Sequence, residues 1–285
     1  MKLIRFGEPE REKPGIITPD GERIDVSSFG RDYDESFFAG DGLMQLERWL
    51  KSNLSSAPRF SESVRLGPPI CRPSKIICIG LNFRDHARES EMEIPAEPVI
   101  FFKSTTSLAG PNDDLVMPRN SSKVDWEVEL GVVIGNKAKG ISKPEALDHV
   151  AAYVLHNDYS ERAFQLERGG QWVKGKSADT FAPLGPFLAT RDEIPETGKL
   201  GMWLKVNGDF RQKSCTAEMI FDVPTLVSYV SEFMTLLPGD LISTGTPAGV
   251  GLGMKPPQFL KPGDVVEWGI EKLGQARHKV AAWRP

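Results

Sequence analysis

Hydrophobic and polar positions alternate most regularly in VDWEVELGVVIG, residues 124–135. Val124, Trp126, Val128, Leu130, Val132 and Ile134 fall on one side, and Asp125, Glu127 and Glu129 on the other. A period of two predicts a strand with one buried face. Gly131 and Val133 continue the acidic side, so that side is not simply wet. Shorter apolar runs read as further strands: KLIRF, GIITPDGERIDV around an Asp-Gly turn, KIICIG, PVIFFK, AAYVLHNDYS, DLIST, DVVEWGI and ARHKVAAW. LGMWLKVNGDFRQKS predicts a hairpin turning at Asn207-Gly208. Helical spacing is confined to short stretches. ESFFAGDGLMQLERWLKSN carries an apolar stripe, and ISKPEALDHV starts with Ser142 as cap and Glu145 three residues later. DVPTLVSYVSEFMTL has Asp222 as cap and Pro224 near its start. LNFRDHARE, after the KIICIG strand, is a polar stretch with helical potential. Strands therefore dominate residues 73–285. The expectation is a mixed, mainly β fold with a small N-terminal α/β unit over residues 1–70. A proline-punctuated connector leads from it to a larger domain, residues 71–285.

Composition narrows the function classes. The 285 residues are 40% hydrophobic and 26% charged, as in ordinary globular proteins. A net charge of −4 argues against a basic nucleic-acid surface. No run of about 18 apolar residues predicts a membrane span, and the first residues, MKLIRFGEPEREKPG, lack the apolar core of a signal peptide. Cys71, Cys78 and Cys215 have no metal-knuckle spacing and read as reduced thiols of a cytoplasmic protein.

Four places offer chemistry. Glu127 and Glu129 project from one strand face, about 7 Å apart by rise alone. Buried, they repel one another unless a hard cation lies between them, and Mg2+ takes a few carboxylates while keeping positions for water and substrate. Asp158, ending an apolar run, is a third candidate ligand; a solvated strand face is the alternative. On a helix, His86 and Glu89 share a face, so that the carboxylate orients the imidazole as a general base; a surface ion pair is the alternative. Lys174 and Lys176 lie between glycines and a proline-rich turn, either solvated or beside a bound anion. STGTPAGVG, residues 243–251, offers backbone N–H groups and Thr246 to an anion, or is only a tight turn. No Walker loop, nucleophile elbow or zinc-binding H-E-x-x-H occurs.

GLNFRDHARE, FFK, VDWEVELGVVIG, NDYSERAFQ, GKSADTFAPLGP and STGTPAGVG, in this order, resemble the fumarylacetoacetate hydrolase family. The resemblance implies a mixed β-sandwich roll, a homodimer or higher homo-oligomer, and bound Mg2+, with Mn2+ accepting the same oxygen ligands. It implies Glu127, Glu129 and Asp158 as metal ligands, and His86 and Glu89 as the water-activating pair. It places Lys176 and Gln165 at the reacting oxygens, supported by Arg162 on a helix starting at Asp158. Thr246 would hold the substrate's carboxylate or diketone end, with Phe83 and Arg84 also at the substrate; Phe83 stands where many members have tyrosine. The whole pattern is most similar to the family's sugar-acid branch. That implies cleavage of a small 2,4-diketo acid such as 2,4-diketo-3-deoxy-L-rhamnonate or its L-fuconate analogue. Decarboxylation of an oxaloacetate-like acid, isomerase or hydratase work in aromatic catabolism, and a non-catalytic carboxylate-binding scaffold are the competing readings.

Overall fold

The computed structural model describes residues 1–284. Ten strands follow one another across a central sheet. From one edge they are Arg59–Phe60, Arg23–Asp25, Lys13–Ile17, Lys2–Phe6 and Ala182–Thr190, then Val150–Asn157, Val128–Ile134, Leu241–Ser243, Ile76–Gly80 and Val99–Lys103. All these neighbours are antiparallel except Leu241–Ser243, which runs parallel to Ile76–Gly80. A five-stranded sheet holds the late strands Val265–Ile270 and Gly274–Ala281 together with the hairpin Gly201–Val206 and Asp209–Cys215. That hairpin turns where expected. Asn207 and Gly208 both have positive φ, 54° and 87°, as a two-residue turn matched to strand twist requires.

The period of two separates two cores. Val128, Leu130 and Val132 pack with Leu204, Val266 and Trp268 of the five-stranded sheet. Val133, on the opposite face, packs with Val154, Leu241 and the N-terminal residues Ile24, Phe37 and Leu46. The expected one-sided strand is thus covered on both faces: every residue of Val128–Ile134 is buried. Such burial is what a strand in the middle of a wide, layered sheet experiences.

The N-terminal segment is joined to the rest by sheet hydrogen bonds. Lys2 and Leu3 pair with Ala189 and Leu188. The helix expected over ESFFAGDGLMQLERWLKSN is two, Glu35–Phe38 and Gly42–Asn53. Gly42 touches the Phe37 carbonyl so closely that a Cβ there would lie 2.3 Å from it. Ser142 and Glu145 do cap a helix, with the Ser142 N–H donating to Glu145 Oε2 at 3.0 Å, but it is a 3-10 helix, Lys143–His149. The helix capped by Asp222 spans Val223–Phe233, and Asp222 Oδ1 accepts from the Thr225 N–H at 3.0 Å.

Candidate active site

The sheet breaks between Val124–Asp125 and Val128–Ile134, and Glu127 lies in the break. Its backbone N–H donates to Asn157 Oδ1 at 2.9 Å, and its carbonyl accepts from the Asp158 N–H at 2.9 Å. These bonds tie the end of the Val150–Asn157 strand to the acidic row. Glu127, Glu129 and Asp158 each offer a carboxylate oxygen, all within 4.8 Å of one another and all buried. The expected Arg162–Gln165 helix does not start at Asp158. Residues 160–161 form a short strand, and the helix Arg162–Leu166 begins after it, capped by Glu161 through the Phe164 N–H at 2.6 Å.

Three buried cations serve these acids. Lys103, at the end of the Val99–Lys103 strand, donates to Asp158 Oδ1 at 2.5 Å. Lys176 donates to Glu127 Oε2 at 2.8 Å and to Asp158 Oδ2 at 2.9 Å. Arg162 holds Asp125 Oδ2 through Nε at 2.8 Å and Glu127 Oε1 through Nη2 at 2.7 Å. Burial works against ionised Asp158, but Lys103 and Lys176 prevail and hold its carboxyl well below the usual range. Glu129 differs. Ser243 Oγ and the Gly245 N–H donate to its Oε2, and no lysine or arginine bonds it. Burial, with Asp158 and Glu127 beside it, pushes its carboxyl well above the usual range. Ser243 in turn meets His156 Nδ1 at 2.6 Å, and burial lowers that imidazole to about 3, so it stays neutral.

The donor set fits a hard divalent cation. Asp125, Glu127, Glu129 and Asp158 stand against Lys103, Lys176 and Arg162. That is four carboxyl groups against three cations, and Glu129 is the one without a cationic partner, which is why its carboxyl favours the protonated form while no ion is beside it. A buried carboxylate without a cationic partner is costly, and an ion beside Glu129 would remove that cost.

A cavity of about 660 Å³ opens over the acids, and His86, Glu89, Gln165, Lys176 and Thr246 line it. His86 and Glu89 sit on the helix Arg84–Glu89, with His86 Nδ1 3.4 Å from Glu89 Oε2. Both Glu89 oxygens accept from the Gly249 N–H at 3.0 Å. Burial opposes ionisation of Glu89, yet the His86 and Gly249 bonds keep its carboxyl below the usual range. Gly249 has φ +102°, and a Cβ there would lie 1.9 Å from the Arg211 carbonyl, so only glycine brings this N–H to Glu89. Gln165 Oε1 accepts from Arg162 Nη1 at 3.1 Å, which leaves the Gln165 amide N–H groups free to donate into the cavity.

Three expected substrate contacts are placed differently. Phe83 is fully buried in the main core, and no part of it reaches the cavity. Arg84 points away, donating to the Met219 carbonyl at 2.7 Å. Thr246 lines the cavity, but its hydroxyl proton goes to the Val128 carbonyl at 3.0 Å while its oxygen accepts from Gln212 at 2.9 Å. Its hydroxyl has no proton left for a carboxylate. Lys174 bonds the Arg168 carbonyl at the surface. Lys103, Asp125 and Ser243 also belong to this network, through contacts that spacing along the chain does not signal. The one signal for Lys103 is a lysine closing the apolar run VIFFK.

A family model described as fumarylacetoacetate (FAA) hydrolase C-terminal matches residues 75–281. The chain belongs to the fumarylacetoacetate hydrolase family. A Sphingomonas sp. protein named 2,4-didehydro-3-deoxy-L-rhamnonate hydrolase is 50% identical, over 100% of this chain and 97% of its own length. Among solved structures, the fumarylacetoacetate hydrolase of psychrophilic Exiguobacterium antarcticum superposes with TM-score 0.84 at 36% identity, covering 99% of this chain and 100% of that one. Maleylpyruvate hydrolase from a Sphingobium species, in complex with manganese(II) ion and pyruvate, superposes with TM-score 0.83 at 28% identity, with 100% of each chain covered. The mainly β, mixed-sheet architecture of this chain is that of its family. Among the described residues, no helix is long and apolar enough to cross a membrane.

Proposed function

We propose that this family member is a Mg2+-dependent hydrolase that cleaves the C3–C4 bond of 2,4-diketo-3-deoxy-L-rhamnonate, giving pyruvate and L-lactate. The observation that carries the reading is one cavity lined by a histidine–glutamate pair and by Glu127 and Glu129 of a buried cluster of three acids. The rhamnonate hydrolase, 50% identical over the full chain, supports the substrate.

Glu127, Glu129 and Asp158 would hold the ion, which when bound would supply Lewis acidity to the diketo-acid end of the substrate. Glu89, anchored on Gly249, accepts the Nδ1 proton of His86 and leaves Nε2 as the base. His86 takes a proton from water, and the hydroxide adds to C4. Charge developing on the C4 oxygen meets the Gln165 amide and the Lys176 donor not used by Glu127 and Asp158. The C3–C4 bond breaks, the acyl half leaves as lactate, and C3 gains a proton to give pyruvate. Three donors on Lys176, two already spent on carboxylates, fix its ammonium where the oxyanion forms.

Pyruvate release with Mg2+ and with EDTA, for His86→Ala beside the unaltered protein, tests the reading. The variant should lose roughly 10²–10⁴ in kcat while still binding Mg2+ in calorimetry. Full turnover by the variant would remove the water-activating role. Pyruvate from oxaloacetate alone would point instead to a decarboxylase, in which Lys176 matters and His86 does not.

A further inference from the structure

The strand Asp209–Cys215 lies at the edge of the five-stranded sheet, and Gln212 is its one buried residue. A bulge puts it there. Leu204 pairs with Gln212 and Lys205 with Phe210, a register that skips Arg211. Strict alternation would set Phe210 and Gln212 on one face. The bulge instead leaves Phe210 outside, 56% exposed, and turns Gln212 inward, where it is fully buried. It also presses the Arg211 carbonyl against Gly249, whose N–H serves Glu89.

Both ends of the Gln212 amide are used. Oε1 accepts from the Val128 N–H at 2.9 Å, and Nε2 donates to Thr246 Oγ1 and to the Pro247 carbonyl, each at 2.9 Å. The Val128 N–H can only donate and the Pro247 carbonyl only accept, so the amide has one orientation. The Thr246 hydroxyl closes a ring by donating to the Val128 carbonyl at 3.0 Å. The neighbouring strand Leu241–Ser243 pairs with residues 131–133. Beyond it, Gln212 and Thr246 hold the Val128 backbone on that side. Val128 stands between Glu127 and Glu129, and the turn gripped by Nε2 carries the Gly245 N–H to Glu129 and the Gly249 N–H to Glu89. We infer that Gln212 is a positioning residue, whose ring with Val128 and Thr246 fixes together the two glutamates of the acidic row and the turn that anchors Glu89. This rests on the hydrolase reading above for what the acids and His86 do, but the effect of the ring on ion binding does not depend on turnover.

Mg2+ calorimetry and pyruvate release, both well below the thermal midpoints, test it. Gln212→Met keeps the bulk of the side chain and removes the amide. It should weaken Mg2+ binding about 10–100-fold and lower kcat at saturating Mg2+ on the same scale, as loss of a group that orients a ligand does. Thr246→Val opens the same ring with a near-isosteric side chain and should act in the same direction, while Thr246→Ser, which keeps the hydroxyl, should recover most of the affinity. The double variant Gln212→Met, Thr246→Val should lose little more than Gln212→Met alone, since the ring is already open. Val206→Ala, a buried position in the same hairpin, should lower the thermal midpoint and leave Mg2+ affinity unchanged, which separates positioning from stability. Wild-type Mg2+ affinity in Gln212→Met, fully additive losses in the double variant, or an equal loss of affinity in Val206→Ala would overturn the positioning role. Should Gln212→Met fail to fold, wild-type affinity in Thr246→Val would overturn it, and weakened affinity restored in Thr246→Ser would support it. Weakened Mg2+ binding in the variants, with no pyruvate released by the unaltered protein, would support the positioning of the acids and overturn the hydrolase reading.

Discussion

Glu129 is the carboxyl group without a cationic partner, and glutamine in its place tests the account directly. Glu129→Gln should abolish measurable Mg2+ binding in calorimetry. The thermal midpoint in EDTA should not fall, because the substitution removes a buried carboxylate that no cation offsets. Unchanged Mg2+ affinity would exclude Glu129 as a ligand. Ser243 is the support behind it, donating to Glu129 Oε2 while resting on His156. Ser243→Ala should weaken Mg2+ binding about 10–100-fold, the usual scale for loss of a hydrogen bond that orients a ligand; wild-type affinity would show that Glu129 orients itself. The acidic row was legible from its alternation. Lys103, Asp125 and Ser243 were not, because their importance lies in contacts to residues 55, 37 and 114 positions away. Thr246 shows the opposite failure: a hydroxyl in a glycine-rich turn looks available until the Val128 carbonyl and Gln212 are seen to occupy it.

The helix Arg84–Glu89 is held to the body by side chains rather than by an apolar face, since only Ala87 along it is buried. Asp85 accepts from Ser214 Oγ at 2.6 Å, Arg84 reaches the Met219 carbonyl, and Glu89 takes the Gly249 N–H. Ser214→Ala removes one of these ties at a distance from the acids. It should lower kcat about three- to tenfold and leave Mg2+ affinity unchanged, as measured by steady-state kinetics beside calorimetry. Equal loss of metal binding would mean that the helix and the acidic cluster are not independent. The sequence pattern shows that His86 and Glu89 share a face if this stretch turns helical, as it does over Arg84–Glu89. It could not show that Arg84 serves as an anchor, because its partners are backbone carbonyls of residues 217 and 219. Elements with strict alternation or a strong turn, such as Val128–Ile134 and Asn207-Gly208, are readable, although the alternation hides the break at residues 126–127; the break in ESFFAGDGLMQLERWLKSN is set by tight packing of Gly42 on Phe37.

At the scale of the whole molecule, acid should unfold the protein through its buried histidines. His278 stacks on Tyr159, and its Nε2–H donates to the Gly110 carbonyl at 3.1 Å. Burial lowers its imidazole to about 4, against the Gly110 bond and the charges of Asp113 and Asp114. In the unfolded chain a histidine takes its proton near 6.5, so between those values the unfolded state binds the additional proton. The contribution of His278 is therefore complete above about pH 6.5 and lost as pH falls toward 4, on the order of 3 kcal/mol. The thermal midpoint should drop across that window, and His278→Gln should flatten the drop; an identical slope in the variant would assign the acid sensitivity elsewhere. The pairing of Lys2 and Leu3 with Ala189 and Leu188 has a kinetic side. The strand Lys2–Phe6 meets Leu66–Gly67 early through Arg5 and Phe6, but Lys2 and Leu3 stay unpaired on that side until residues 182–190 have been made. This part of the seam therefore closes late in synthesis, and an open strand end of that kind is a site where nascent chains can pair with one another.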